Sequence, residues 1–584
     1  MTATTENSMK LPIELATLTD QAVVKVRDWL DYAQQESVPN PTAERLAAIL
    51  QDPNGLEFTV GFVDRVVRTE DIHAAARALN DLGSIAPATM SFIDRAQIQA
   101  GSLVGRALPH VVVPAARARI RQMVGHMIVD ARDKPFGRAV AELQGDGNRL
   151  NINLLGEAVL GEKEALKHLE DARRLLGRMD VDYVSIKVSS VASQISLWGF
   201  DETVEAVVKR LTPLYKEAAA AAGTPGGTKF INLDMEEYGD LRLTIEVFKR
   251  LMSLPGVETL EAGIVLQAYL PDALASLQEL AEFGAQRVGD GGAPIKIRLV
   301  KGANLPMEHV HAEIAGWPAA TMPSKQATDA NYKRVLWWAL RQENMTGLRL
   351  GVAGHNLFDI AFAHLLSIER GVADKVEFEM LQGMASDQAR AASRDVGQLL
   401  LYVPAVRPQE FDAAISYLVR RLEENAASEN FMSVIFDLEA DNPAFRREED
   451  RFRASIEDLA ELLDAPVPGP NDTQDRGAQE AETLEAAGDR ARELETTRAP
   501  DQLPPFANEP DTNPALTANQ QWARAAIERS ADEGWLEQQT APLSVEEEDI
   551  DALIEGTRAA ATEWAALPPM ERARILYRTA DILA

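Results

Sequence analysis

The sequence contains no cysteine, which excludes disulfides, thiolate metal sites and a cysteine nucleophile, and suits a reducing compartment. It has no apolar run approaching the roughly 20 residues that a membrane-spanning helix needs. Residues 1–10 also lack the apolar centre of a signal peptide. A soluble or at most peripheral cytoplasmic protein is therefore expected. Basic residues are outnumbered: 59 Lys and Arg stand against 90 Asp and Glu, for a formal charge of −31. Such a surface repels phosphate backbones, so nucleic acid is not an expected partner. Neither GxxxxGK[ST] nor GxGxxG follows a strand-like run, so a P-loop or Rossmann site is not indicated. The HVHAE run at 309–313 lacks the HExxH arrangement and reads as the start of a surface helix, so no metal site is expected.

What is present is a large apolar fraction, 46% over 584 residues, enough for several domains with cores of their own. Residues 1–145 carry helical periodicity, through Val23, Val26, Trp29 and Leu30 and again over 58–67 and 72–82, broken by Pro and Gly. From 146 to 436 the pattern becomes eight short β-rich runs, each followed by a helical stretch. They lie at 150–157, 183–189, 229–236, 262–269, 295–302, 348–356, 376–383 and 399–406. This alternation means parallel strands with crossover helices, and eight units match a barrel better than an open doubly wound sheet. The expected fold is α/β, a (βα)8 TIM-like barrel preceded by a helical arm and α-domain and followed by a charged helical linker over 437–503.

Barrel enzymes place their chemistry at the carboxyl ends of the strands. There the sequence has Glu157, Lys187, Asp234 with Glu236 and Glu237, Gln267, Arg298 with Lys301, His355 with Asn356, Glu379 and Tyr402. A buried ion pair or an interior hydrogen bond accounts for any one of them; polar residues at the end of every strand point to a site. After the eighth run, Phe411, Ile415, Leu418 and Leu422 form one helical stripe, and Tyr417, Arg420, Arg421 and Glu424 another. Adjacent arginines can grip a carboxylate bidentately, although the same spacing fits an exposed, salt-bridged face. Residues alone also allow a Schiff-base lyase with Lys187 as nucleophile near Asp234 and Tyr402, or a non-catalytic scaffold.

The runs VSIKVSS, NLDMEE, VLQAY, IRLVKGA, GHN, LQGM, YVPA and YLVRRLEEN, in this order, resemble proline dehydrogenase over about residues 149–431. With the preceding helices, they resemble the proline dehydrogenase half of the bacterial bifunctional proline utilization A proteins. In those proteins an aldehyde dehydrogenase domain follows, and its beginning is similar to FANEPDTNPALTANQQWARA. Residues 504–584 are then expected to start that domain. Because its chemistry uses a cysteine, the chain is expected to be a fragment without aldehyde dehydrogenase activity. The ribbon-helix-helix DNA-binding module of some members has no counterpart in 1–40.

The resemblance implies a distorted barrel holding non-covalent FAD, oxidation of L-proline to pyrroline-5-carboxylate, and a membrane quinone as electron acceptor, reached by peripheral contact. It implies that Lys187, Asp234, Arg298, Tyr402, Arg420 and Arg421 carry the reaction. Arg420 and Arg421 would hold the proline carboxylate, with Lys187 closing that side and Asp234, Ala303, Leu381, Tyr402 and Tyr417 around the ring. FAD would fall to Asp234, Met235, Gln267, Arg298, Val300, Gly302, Ala303, Lys325, His355, Asn356, Glu379 and Glu424. Glu157 matches an acidic partner of a pocket arginine. Asn304 and Leu305 stand where many relatives carry aromatic residues, and Glu379 where some carry Gln.

Overall fold

The protein is described by a computed structural model over residues 12–36, 49, 52–90, 95, 108–124, 127–156, 159–224, 227–407, 414, 417, 421, 427–435, 437–480, 508–540 and 547–583. Among these described residues nine strands form one sheet: β1 (Val129–Asp130), β2 (Arg149–Leu154), β3 (Tyr183–Lys187), β4 (Phe230–Asp234), β5 (Ala262–Gln267), β6 (Ile295–Val300), β7 (Leu348–Ala353), β8 (Val376–Leu381) and β9 (Leu400–Val406). Strands β2 to β9 pair in sequence order, all parallel, and β9 closes the ring against β2, with Asn151 opposite Tyr402. The result is the (βα)8 barrel. The short β1, which carries no readable periodicity, pairs with the last residues of β9, Ala405 and Val406, beyond the stretch that β8 pairs.

Seven of the eight barrel strands stop two or three residues before the expected carboxyl ends. The apolar pattern continues past those ends because Leu155, Val188, Ala268 and Tyr269 remain buried after leaving the sheet. Burial keeps these positions apolar.

Side chains alternate along a strand, so half of each strand faces the barrel interior. At the amino end Tyr183, Phe230 and Leu400 form an apolar plug, with the two rings 4.3 Å apart. Above the plug the interior is polar: Asn151, Ser185, Asn232, Lys296 and Glu379 are all buried. Such groups cost free energy unless paired, and their pairing organises the site described below.

The arm is the helix Ile13–Gln35, which buries Leu15, Leu18, Val26, Trp29 and Leu30 as one stripe. The Trp29 indole donates to Asp395, 2.7 Å away on the helix Ser386–Val396. A separate core holds Phe58, Phe62, Val66, Leu79, Leu82 and Val113. Its helix Ile72–Gly83 is capped by Asp71, which accepts from the backbone N–H groups of His73 and Ala74. Beyond the barrel, the helix Pro443–Leu462 starts at an Asn442 cap. It sets Phe445 and Phe452 against Phe358, each 5.4 Å from that ring. Of the helix expected over 411–424, only residues 414, 417 and 421 lie among those described.

The chain divides into two compact units. The first comprises 1–195, 204–305 and 321–470 and contains the barrel, the arm and the site. The second comprises 196–203, 306–320 and 471–584. It is organised by Arg476, which donates to Glu509 at 2.8 Å and to the Pro510 carbonyl at 2.7 Å. Buried Asn513 and Asn519 complete that knot. Among the described residues, no helix is long and apolar enough to cross a membrane.

Candidate active site

A cavity of about 310 Å³ opens at the carboxyl ends of the barrel strands. Its wall contains Lys187, Asp234, Met235, Gln267, Arg298, Val300, Gly302, Ala303, Lys325, His355, Asn356, Glu379, Leu381, Tyr402, Tyr417 and Arg421. These, with Glu236 and Lys301, are all of the site residues inferred from sequence that the structure describes, except Glu237, which does not line the cavity. Arg420 and Glu424, like Glu157, lie outside the described residues.

Two charge networks hold this wall. In the first, Arg298 on β6 places Nε 2.8 Å from Glu379 Oε2 and Nη1 3.7 Å from Asp234 Oδ1. Its guanidinium lies 4.4 Å from the centre of the Tyr402 ring. Burial alone would lower its pKa, but the Glu379 and Asp234 carboxylates raise it above the ordinary arginine value. Lys296 takes the other oxygen of Glu379 at 2.6 Å and reaches Glu377, and Arg149 holds Glu377 from below at 2.6 Å. Room for this carboxylate comes from Gly351, where a Cβ would sit 2.1 Å from Glu379 Oε1.

The second network fixes the loop after β6. Lys301 lies 2.6 Å from Asp329 and 2.5 Å from Asp359; burial opposes its charge, and the two carboxylates more than restore it. Lys325 also pairs with Asp329, and Lys333 with Asp359 at 2.6 Å. Burial and the neighbouring Lys301 cation bring Lys325 down to about 8. The next residue, Gly302, has φ +127°, and a Cβ there would meet the Tyr269 ring at 2.4 Å, so only glycine lets the backbone line the cavity.

Lys187 extends from the end of β3 to Glu236, which Ser189 also holds at 2.5 Å. The Glu236 carbonyl accepts from Gln267 Nε2 at 3.2 Å and Asn304 Nδ2 at 2.8 Å. Gln267 Oε1 is buried without a protein partner. His355 Nε2 accepts from the Leu381 N–H at 3.0 Å, so Nδ1 carries the ring proton, and it too is buried without a protein partner. Burial, then the Arg421 cation, lowers His355 to about 4, which keeps it a neutral donor. Asn356 uses its side-chain oxygen to cap the following helix, accepting from Phe358 N–H at 3.0 Å.

Sequence reasoning missed Asn153, Glu236 as a holder of Lys187, Lys296, Asp329 and Asp359. No motif marks them; their inward register on the barrel or their place behind the loop after β6 was the only signal.

Residues 136–434, half of the chain, match the profile of the family described as Proline dehydrogenase. The chain belongs to the proline dehydrogenase family. Among curated relatives, the Bifunctional protein PutA of Escherichia coli (strain K12) is 25% identical over 519 residues, covering 82% of this chain and 37% of that protein. The Hydroxyproline dehydrogenase of Rattus norvegicus is 31% identical over 163 residues, covering 27% of this chain and 34% of that one. The chain thus spans about a third of the length of these relatives. A structure of proline utilization A from Corynebacterium freiburgense is 42% identical with a TM-score of 0.57, covering 70% of this chain and 37% of that one. The Bdellovibrio bacteriovorus protein, 23% identical with a TM-score of 0.67 over 88% of this chain and 49% of that one, shares the fold.

Proposed function

We propose that this chain oxidises L-proline to pyrroline-5-carboxylate with non-covalent FAD and passes the electrons to a membrane quinone through peripheral contact, at the cytoplasmic face. The observation that carries this reading is one cavity combining the cations Lys187, Arg298 and Arg421 with the unpartnered buried polar atoms Gln267 Oε1 and His355 Nδ1. The cations suit a substrate carboxylate and the orphaned atoms suit a polar cofactor.

The residues present fit FAD. A second cavity of about 170 Å³ shares Lys325, Asn356 and Phe431 with the first, which supports an elongated, two-part ligand. Gln267, Arg298, His355, the backbone at Val300, Gly302 and Ala303, and Lys325 would hold it, with Asp234, Met235, Asn356 and Glu379 nearby; Glu424 is assigned to it by the resemblance alone. The absence of cysteine removes one route to a covalent bond.

Oxidation makes the ring C–N bond of proline a C=N bond, removing a hydride from carbon and a proton from nitrogen, and bound FAD supplies the hydride acceptor. The protein's task is positioning and electrostatics. Arg421, with Arg420, anchors the carboxylate; Lys187, held by Glu236, adds charge on that side. Ala303, Leu381, Tyr402 and Tyr417 shape the ring pocket. Arg298, kept charged by Glu379 and Asp234, presents a fixed cation. A Lys187 nucleophile for a lyase would need a free amine, whereas its Nζ is engaged by the Glu236 carboxylate.

Residues 1–145 are proposed as the arm and α-domain, 146–436 as the catalytic barrel, 437–503 as a linker and 504–584 as the start of an aldehyde dehydrogenase domain. An absorbance spectrum before and after proline tests the reading. Flavin bands that bleach on adding proline are expected, with proline-dependent dye reduction excluding a mere scaffold. A colourless protein trapped by borohydride with a carbonyl substrate would overturn it in favour of the lyase.

A further inference from the structure

Asp234 sits at the meeting point of two hydroxyl relays, and both begin on β2. In one, Asn151 Nδ2 donates to Ser185 Oγ at 3.0 Å and Ser185 donates to Asp234 Oδ1 at 3.0 Å. In the other, Asn153 Nδ2 donates to the Tyr402 hydroxyl, which donates to Asp234 Oδ2 at 2.8 Å. Asn232 Nδ2 adds a donor to Oδ1 at 2.9 Å, and a glycine at 263 admits its amide, since a Cβ there would lie 2.5 Å from Asn232 Oδ1. All six residues are buried.

The direction of each relay follows from the chemistry of its first member. An amide nitrogen only donates, and a hydroxyl has one proton. A hydroxyl receiving from the amide must therefore spend its own proton on Asp234. A buried carboxylate facing donors alone is fully satisfied as an anion. The Tyr402 hydroxyl is then tied through both its proton and its lone pair, on the ring against which the Arg298 guanidinium packs at 4.4 Å. Asn153 itself lines the cavity.

We propose that Asn153 is a positioning residue for the reaction: its amide commits the Tyr402 proton to Asp234 and so fixes the phenol ring that walls the substrate pocket beside Arg298. This rests on the reading of the cavity as a proline site. Asn153 acts through Tyr402, so its effect vanishes when the hydroxyl is absent.

The test is a double-mutant cycle of Asn153→Leu and Tyr402→Phe, read by affinity for cyclopentanecarboxylate, by kcat and KM for proline, and by urea midpoint, all with flavin content measured. Asn153→Leu is expected to weaken cyclopentanecarboxylate binding and kcat/KM by about 2- to 12-fold, the span of one neutral hydrogen bond. In the Tyr402→Phe background the same change is expected to do less than about 2-fold, by the non-additivity of contacting residues. If the leucine protein does not fold, Asn153→Asp preserves the shape and removes the donor, with the same non-additivity expected. Equal losses in both backgrounds, or no loss in the first, overturn the relay. An unsubstituted protein that neither binds cyclopentanecarboxylate nor oxidises proline overturns the proposed function, and the positioning role with it, while the urea cycle still reports the Asn153–Tyr402 contact.

Discussion

Arg298 Nε lies 2.8 Å from Glu379 Oε2 inside the barrel, and the same carboxylate's other oxygen holds Lys296 at 2.6 Å. One buried anion thus serves two cations. Removing a member of a buried pair strands the remaining charge and costs about 3–5 kcal/mol. Glu379→Ala is expected to lose stability in that range by urea unfolding. Glu379→Gln keeps a side-chain oxygen as acceptor in the same place and is expected to lose clearly less.

Arg421 lines the cavity beside Tyr417, its guanidinium 5.2 Å from that ring. Arg421→Met keeps the apolar stem and removes the charged fork. A charge-assisted hydrogen bond contributes roughly 1.5–3 kcal/mol, so proline affinity should weaken about 10- to 150-fold. Anchoring acts in ground and transition states alike, so most of the loss should appear in KM. Steady-state kinetics with unchanged flavin content would check this; a wild-type KM would leave the salt-bridged-surface reading of this helix standing.

His355 is held neutral by burial, then by the Arg421 cation, with its pKa lowered to about 4. The unfolded chain takes up that proton near 6.5, so between about 6.5 and 4 the unfolded state binds more protons and stability falls as pH falls. The contribution is complete above 6.5 and lost by about 4, amounting to about 3 kcal/mol. His355→Gln removes the titration. Its stability, measured by urea unfolding across this window, should fall less steeply with acid than that of the unsubstituted protein.

Lys325, brought down to about 8 by burial and by Lys301, is charged below that pH and neutral above it. If it faces an anionic part of the cofactor, FAD affinity should decline as pH rises through 8, by at most about tenfold per unit. Lys325→Met should bind FAD more weakly at pH 7 and without this slope. Fluorescence titration of flavin-free protein over pH 6.5 to 9.5 measures both; parallel pH profiles would remove Lys325 from the cofactor site.

The sequence by itself determined the barrel. Eight apolar runs separated by helical stretches admit little else, since parallel strands buried on both faces must be apolar and crossover helices must be amphipathic. It also marked the polar residues at the strand ends, because Lys187, Asp234, Arg298, His355 and Tyr402 interrupt runs that packing alone would keep apolar. Which charges face one another was decided only by tertiary structure. Glu379 reads as an odd carboxylate until β6 and β8 bring Lys296 and Arg298 onto it, across a gap that Gly351 on β7 leaves open. Asn153 is one more polar residue in a β-run until ring closure sets β2 against β9 and its amide against Tyr402. Lys301, Asp329 and Asp359 likewise belong to three separate segments until the fold joins them. Strand periodicity is a local property of the chain, whereas a hydrogen bond inside a closed barrel joins residues up to 249 positions apart, and no local pattern carries that pairing.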